Sequence, residues 1–72
     1  MKDTFSDRII ILINENDLSQ QEAAEKIGCS RSTVRAWLDG GTCRGDQLIA
    51  TSKAFGVSTY WLLGLSDVRE LR

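Results

Sequence analysis

In the stretch SRSTVRAW, Arg31, Ser32, Thr33 and Arg35 stand within five residues of one another. All four side chains donate hydrogen bonds, and the two guanidiniums carry a fixed positive charge. Set on the first turns of a helix, beside its unpaired backbone N–H groups, such a group can meet phosphate oxygens and base edges together. An arginine placed there can form two parallel hydrogen bonds to guanine. Gln20, at the start of an earlier apolar-patterned run, and Arg44, in the loop GGTCRG, add two further side chains able to take phosphate. Each also has a plainer reading: surface arginines usually just solvate a helix face, and Ser32 and Thr33 suit any first helical turn. Their joint position favours contact, most firmly for Arg35.

Other chemistries have little to stand on. The chain has 72 residues, no histidine, and Cys29 and Cys43 as its only cysteines. A four-ligand zinc site would therefore need carboxylates for both missing ligands, so no metal is expected. The two cysteines read as small, half-buried, reduced side chains. There is no glycine-rich phosphate loop with a lysine and no nucleophile beside an evident base, so neither catalysis nor a cofactor is expected.

Size and charge narrow the field further. A chain of this length builds one small domain, near the limit where a single core offsets chain entropy. The run Ile9 to Ile13 is far too short to span a bilayer, and the start MKDTFSD lacks the basic and apolar regions of a signal peptide. A cytoplasmic location is the expectation. The net charge of −1 argues against indiscriminate coating of nucleic acid. Its distribution matters more: residues 1–30 carry three basic and six acidic side chains, whereas residues 31–53 carry four basic (Arg31, Arg35, Arg44, Lys53) and two acidic (Asp39, Asp46).

The elements that must hold these residues are helices. Proline is absent, and apolar residues recur three and four apart. The first helix opens after Asp3 or Thr4, with Phe5, Ile9, Leu12 and Ile13 on one stripe and a stop near Asn16. The second follows Ser19, with Glu22 completing a capping box, and stops at Gly28. Ser30 caps the third, which runs from about Arg31 to Asp39. A fourth, with Thr42 or Asp46 as its cap, carries Leu48, Ile49, Ser52 and Phe55 to Gly56. A short fifth follows Ser58. The tail LSDVRELR leaves room for a short sixth helix, because Leu65, Val68 and Leu71 repeat at helical spacing. In the second and third helices Ala23, Ala24 and Ile27 face Val34, Trp37 and Leu38, a steep crossing that small residues permit. Ser32, Arg35, Ala36 and Asp39 are left facing solvent, with Arg31 at the rim.

With these marks in place, the run LSQQEAAEKIGCSRSTVRAW, continued by LIATSKAFGVSTYWLLG, resembles the phage-repressor and Cro-like (XRE) helix-turn-helix family from about Phe5 to Gly64. The resemblance implies an all-α, five-helix, lambda-repressor-like DNA-binding domain over residues 1–64, with 65–72 a C-terminal tail or the start of a linker. It implies a sequence-specific transcriptional regulator, a repressor, whose third helix reads the major groove of a double-stranded DNA operator, as a homodimer on two half-sites. By position, Arg31, Ser32, Thr33 and Arg35 match the family's base and nearby phosphate contacts. Gln20 matches its backbone contact, and the loop Gly41 to Arg44 its phosphate grip. Ala36 departs from a position where the family often has a longer polar side chain, leaving at most a methyl contact. Leu38 departs from a commonly acidic one, which suggests extra core packing.

Some residues point elsewhere. Trp37 reads as core, whereas Trp61 fits either a core plug or a dimer seam. Ile10 and Ile11 lie off the stripe, where the family usually has polar residues, so the tail or a second subunit is expected to cover at least one of them. A further domain or protein partner through Ile10, Ile11, Trp61 or the tail follows, and with it the alternative of a protein-interaction module on the same fold. The ending VRELR has the form of a longer helix or linker cut short, as in the DNA-binding part of a larger repressor.

Overall fold

Short polar side chains start most of the helices. In the computed structural model, which describes residues 3–70, the order is α1 (Phe5–Glu15), α2 (Gln20–Ile27), α3 (Arg31–Leu38), α4 (Gly45–Phe55) and α5 (Thr59–Leu62). Thr4 caps α1: its hydroxyl accepts from the Asp7 N–H at 3.2 Å, and the Asp7 carboxylate accepts from the Thr4 N–H at 3.0 Å. Ser19 and Glu22 do the same for α2, at 3.1 and 2.9 Å. Such reciprocal bonds satisfy backbone donors that the helix itself cannot pair. Ser58 caps α5 by accepting from the Tyr60 N–H at 3.1 Å.

α4 is the exception. Its cap is Arg44, not Thr42 or Asp46. The Gln47 side-chain oxygen accepts from the Arg44 N–H at 3.2 Å, and Asp46 lies inside the first turn, where a carboxylate meets the positive end of the helix dipole. A carboxylate thus favours the first turn as well as the cap, and composition alone does not separate the two.

The core gathers Phe5, Ile9 and Leu12 from α1, Ala24 and Ile27 from α2, Val34 and Trp37 from α3, and Val57, Trp61 and Leu62 from the C-terminal end. α3 packs against α1 and α2; α4 packs against α2 and α5. Trp37 meets Phe5 edge-on, ring centres 5.4 Å apart and planes at 78°. Ile13, Ile11 and Leu38 lie half-buried against this cluster, and Ile10 stays 40% exposed.

On α4 three of the four residues named from sequence, Leu48, Ser52 and Phe55, face inward, and Thr51 stands there in place of Ile49. Thr51 and Ser52 are buried, Leu48 and Phe55 are half-buried, and Ile49 is 53% exposed. Both hydroxyls are satisfied locally: Thr51 Oγ1 donates to the Gln47 carbonyl at 2.8 Å, and Ser52 Oγ donates to the Val57 carbonyl. A hydroxyl bonded in this way can be buried at little cost, so Leu48, Thr51, Ser52 and Phe55 form the inward row.

The tail folds back on the domain without forming a sixth helix among the described residues; Leu71 lies outside them. Ser58 donates its N–H to the Arg69 carbonyl at 2.8 Å, and Val57 bridges Glu70 in antiparallel fashion. The Arg69 guanidinium stacks on Trp61, 4.7 Å from the ring centre, and forks onto Glu15 at 2.7 and 2.8 Å. Arg8 stacks on Trp61 as well, at 4.6 Å, with its Nε 3.2 Å from the Asp3 carboxylate. Arg8 belongs to the buried row of α1 with Phe5, Ile9 and Leu12, although a charged residue was not expected there. Its apolar stem and planar head cover the indole. Trp61 is thus a core plug within the single chain.

Two outcomes follow. Arg8→Ala lowers the unfolding free energy by about 2 kcal/mol, from the desolvated cation–π contact and the lost stem packing, and Arg8→Met recovers part of it, as read by urea denaturation. The second concerns pH. The Arg69 fork holds the Glu15 carboxyl below its ordinary value of 4.5. A depressed carboxyl stabilises the folded form above its unfolded value and loses that contribution as pH falls through the lower, folded one. The tail therefore loosens as pH falls below 4.5, read as a drop in the protection of the Ser58 amide. Glu15→Gln shows weak protection already at neutral pH.

Candidate nucleic-acid interface

α3 is held at both ends and along one side. At its start Ser30 Oγ accepts from the Thr33 N–H at 3.2 Å. Only Gly28, Cys29 and Ser30 separate it from α2, and Gly28 adopts φ +94°, which turns the chain where a side chain would be strained. The N–H groups of Gly28 and Cys29 both close on the Ala24 carbonyl, at 2.8 and 3.0 Å. At its far end, Gly40 N–H bonds the Trp37 carbonyl at 3.1 Å and Gly41 N–H bonds the Ala36 carbonyl at 2.9 Å, a Schellman closure.

With Val34 and Trp37 fully inside, the advance of about 100° per residue decides the rest. Arg31, Ser32, Arg35, Ala36 and Asp39 are all exposed along one face. Thr33 differs: it is half-buried, and its hydroxyl lies 2.9 Å from Ser30 Oγ, so it is engaged in the cap. Leu38 packs against the core, and its carbonyl accepts from the Ser6 hydroxyl at 3.2 Å. Gln20 is the first residue of α2 and half-buried. Arg44 is exposed at the start of α4, at the end of the loop that leaves α3. Four of the six sequence-selected residues thus share one helix, and two mark the starts of its neighbours in the chain.

Charge at this surface is more balanced than the basic residues alone suggest. Arg35 Nε lies 3.7 Å from the Asp39 carboxylate, one helical turn on. Arg44 forks onto Asp46, Nε and Nη2 at 3.3 and 3.1 Å from its two oxygens. That fork raises the Arg44 guanidinium above its ordinary value and holds the Asp46 carboxyl below its own. Arg31 pairs with no carboxylate among the described residues. Neither Asp39 nor Asp46 was singled out from sequence as a partner. The spacing Arg35 to Asp39, four apart on a helix, is the signal that could have found the first.

Cys29 and Cys43 stand as free, half-buried thiols, and burial pushes both above the usual thiol range. No helix of the described residues is long and apolar enough to cross a membrane.

Comparison with known proteins adds two findings. The family model described as helix-turn-helix matches residues 9–62, three-quarters of the chain. The fold is similar to that of the P22 c2 repressor protein, in a crystal structure with a synthetic operator, at TM-score 0.80 and 23% identity, covering 89% of this chain and 98% of that one. No curated protein matches the chain in sequence.

The Schellman closure makes Gly41 sensitive. A Cβ there would sit 2.7 Å from the Ala36 carbonyl oxygen, closer than backbone contacts allow. Gly41→Ala therefore shifts the end of α3 and the loop to Arg44, and destabilises by about 1–3 kcal/mol, as overpacking does. Denaturation measures the loss, and amide shifts confined to residues 36–44 locate it.

Proposed function

The chain belongs to the helix-turn-helix family of the phage-repressor and Cro-like (XRE) type, and from that premise we propose that it is a sequence-specific DNA-binding transcriptional regulator, a repressor, that lays α3 in the major groove of a double-stranded operator. The observation that carries this reading is the exposed row Arg31, Ser32 and Arg35 on a helix fixed in rotation by Val34 and Trp37. Rigid placement is what base reading needs, because a bidentate pair tolerates little error in position. Arg35, one turn into α3, reads a base edge, with guanine its best partner. Arg31 and Ser32 contact bases or the adjoining phosphates, and Thr33 acts at the rim. Gln20 and Arg44 take backbone phosphates. Ala36 offers a methyl group alone, suited to the methyl of thymine.

The P22 c2 repressor, similar in fold, was crystallised with an operator, which supports DNA as the partner. Two copies of this chain on two related half-sites would multiply a modest affinity per copy, so a homodimer on DNA is part of the proposal, as is action in the cytoplasm. A protein-interaction module on the same fold is the second reading, favoured by the exposed apolar side chains Ile10, Ile49, Tyr60, Leu63 and Leu65. Salt separates the two: a regulator loses DNA affinity steeply as salt rises, and an interaction module selects no sequence at any salt.

Selection from random duplexes followed by footprinting tests the first reading and yields site, half-site spacing and stoichiometry together. On the selected site Arg35→Ala costs about 1–3 kcal/mol and relaxes preference at one base position. A uniform loss across all sequences would reassign Arg35 to phosphate, and a selection that enriches nothing would favour the interaction module.

A further inference from the structure

Two of the three arginines offered to DNA already hold a carboxylate. Arg44 grips both oxygens of Asp46, and Arg35 faces Asp39 across one turn of α3. All four side chains are largely solvent-exposed, so neither pair is needed to bury anything. Asp46 takes only the Nε and one Nη2 donor of Arg44, so a phosphate can still reach the remaining N–H groups, but it must then rest beside the Asp46 carboxylate, whose charge opposes it. The pair therefore approaches DNA as a nearly neutral unit, and the counterion release that a free arginine would add is curtailed. Asp39, 3.7 Å from Arg35 Nε, opposes a phosphate at Arg35 by its charge in the same way.

We propose that Asp39 and Asp46 set the affinity of this surface: they are internal competitors that hold down the sequence-blind, phosphate-driven part of DNA binding. This rests on the DNA-binding reading above. Asp46 also suits the first turn of α4 as a dipole partner, which is a structural role only. The competitor role differs from it in acting through Arg44, and salt dependence reveals that difference.

The probe is a random-sequence duplex, titrated over a range of salt with the full chain. Asp46→Asn steepens the slope of log affinity against log salt by about 0.9, the increment for one further neutralised phosphate, and raises low-salt affinity several-fold. Asp39→Asn acts in the same direction. Asp67→Asn, an equal charge change on the tail, leaves the slope unaltered. In an Arg44→Ala background Asp46→Asn has no effect on the slope, and thermal melting confirms that each variant is folded. The proposal is overturned if Asp46→Asn and Asp67→Asn shift affinity alike, since net charge would then suffice, or if the Asp46→Asn effect survives loss of Arg44. Wild-type binding with a silent Asp46→Asn overturns this proposal alone. Folded wild type and variants that bind no duplex at low salt overturn the DNA-binding reading together with it.

Discussion

The edge-on contact between Phe5 and Trp37 is the constraint on which the exposed arginine face of α3 depends. Val34 and Trp37, both fully buried in the shared core, fix the rotation of α3 about its own axis. Once these two point inward, the helical period leaves no choice about Arg31, Ser32 and Arg35. The same packing explains why Ala24 is small. It is wholly buried in the cluster that holds Val34 and Trp37, where α2 packs against α3, and a longer side chain would push α3 away. The exposure of the arginine row is therefore a by-product of core geometry: bulk at Trp37 and lack of it at Ala24 aim the arginines outward.

Local signals were readable in the sequence because they act within a few residues. Thr4, Ser19 with Glu22, Ser30 and Ser58 cap the helices where a hydroxyl three residues or fewer from a free N–H says they should. The candidate site was legible for the same reason: Arg31, Ser32 and Arg35 follow from a cap and a period. Other features needed the fold. Arg8 lies on the apolar row of α1 and would pass for a solvated charge, yet its burial depends on Trp61 and on a tail that returns from the far end of the chain. On α4 only the place of Thr51 was not legible, because hydropathy favours Ile49, whereas the Thr51 hydroxyl is satisfied within its own turn.

Leu38 shows a different kind of trade. The resemblance leads one to expect an acid at this position, and here an apolar side chain lies half-buried against the core, as Ile13 does on α1. Charge pairs taken out of water lose much of their attraction to desolvation, and well-packed apolar groups serve as well or better. Among the described residues one cation is buried, Arg8, at a place where an indole face covers it and Asp3 stands beside it.

Net charge consequently says little about what this surface presents to a partner. Arg8 and Arg69 are tied to Trp61, Asp3 and Glu15 and belong to the fold, not to the exposed face of α3. Among the arginines proposed to meet DNA, Arg35 and Arg44 have carboxylates of their own, so the local excess of positive charge read from residues 31–53 rests mainly on Arg31 and on Lys53. If phosphate attraction is restrained in this way, affinity for an operator has to come from matched base edges and, in the proposed homodimer, from a second copy on a neighbouring half-site. Both terms depend on sequence and spacing, whereas the restrained one does not.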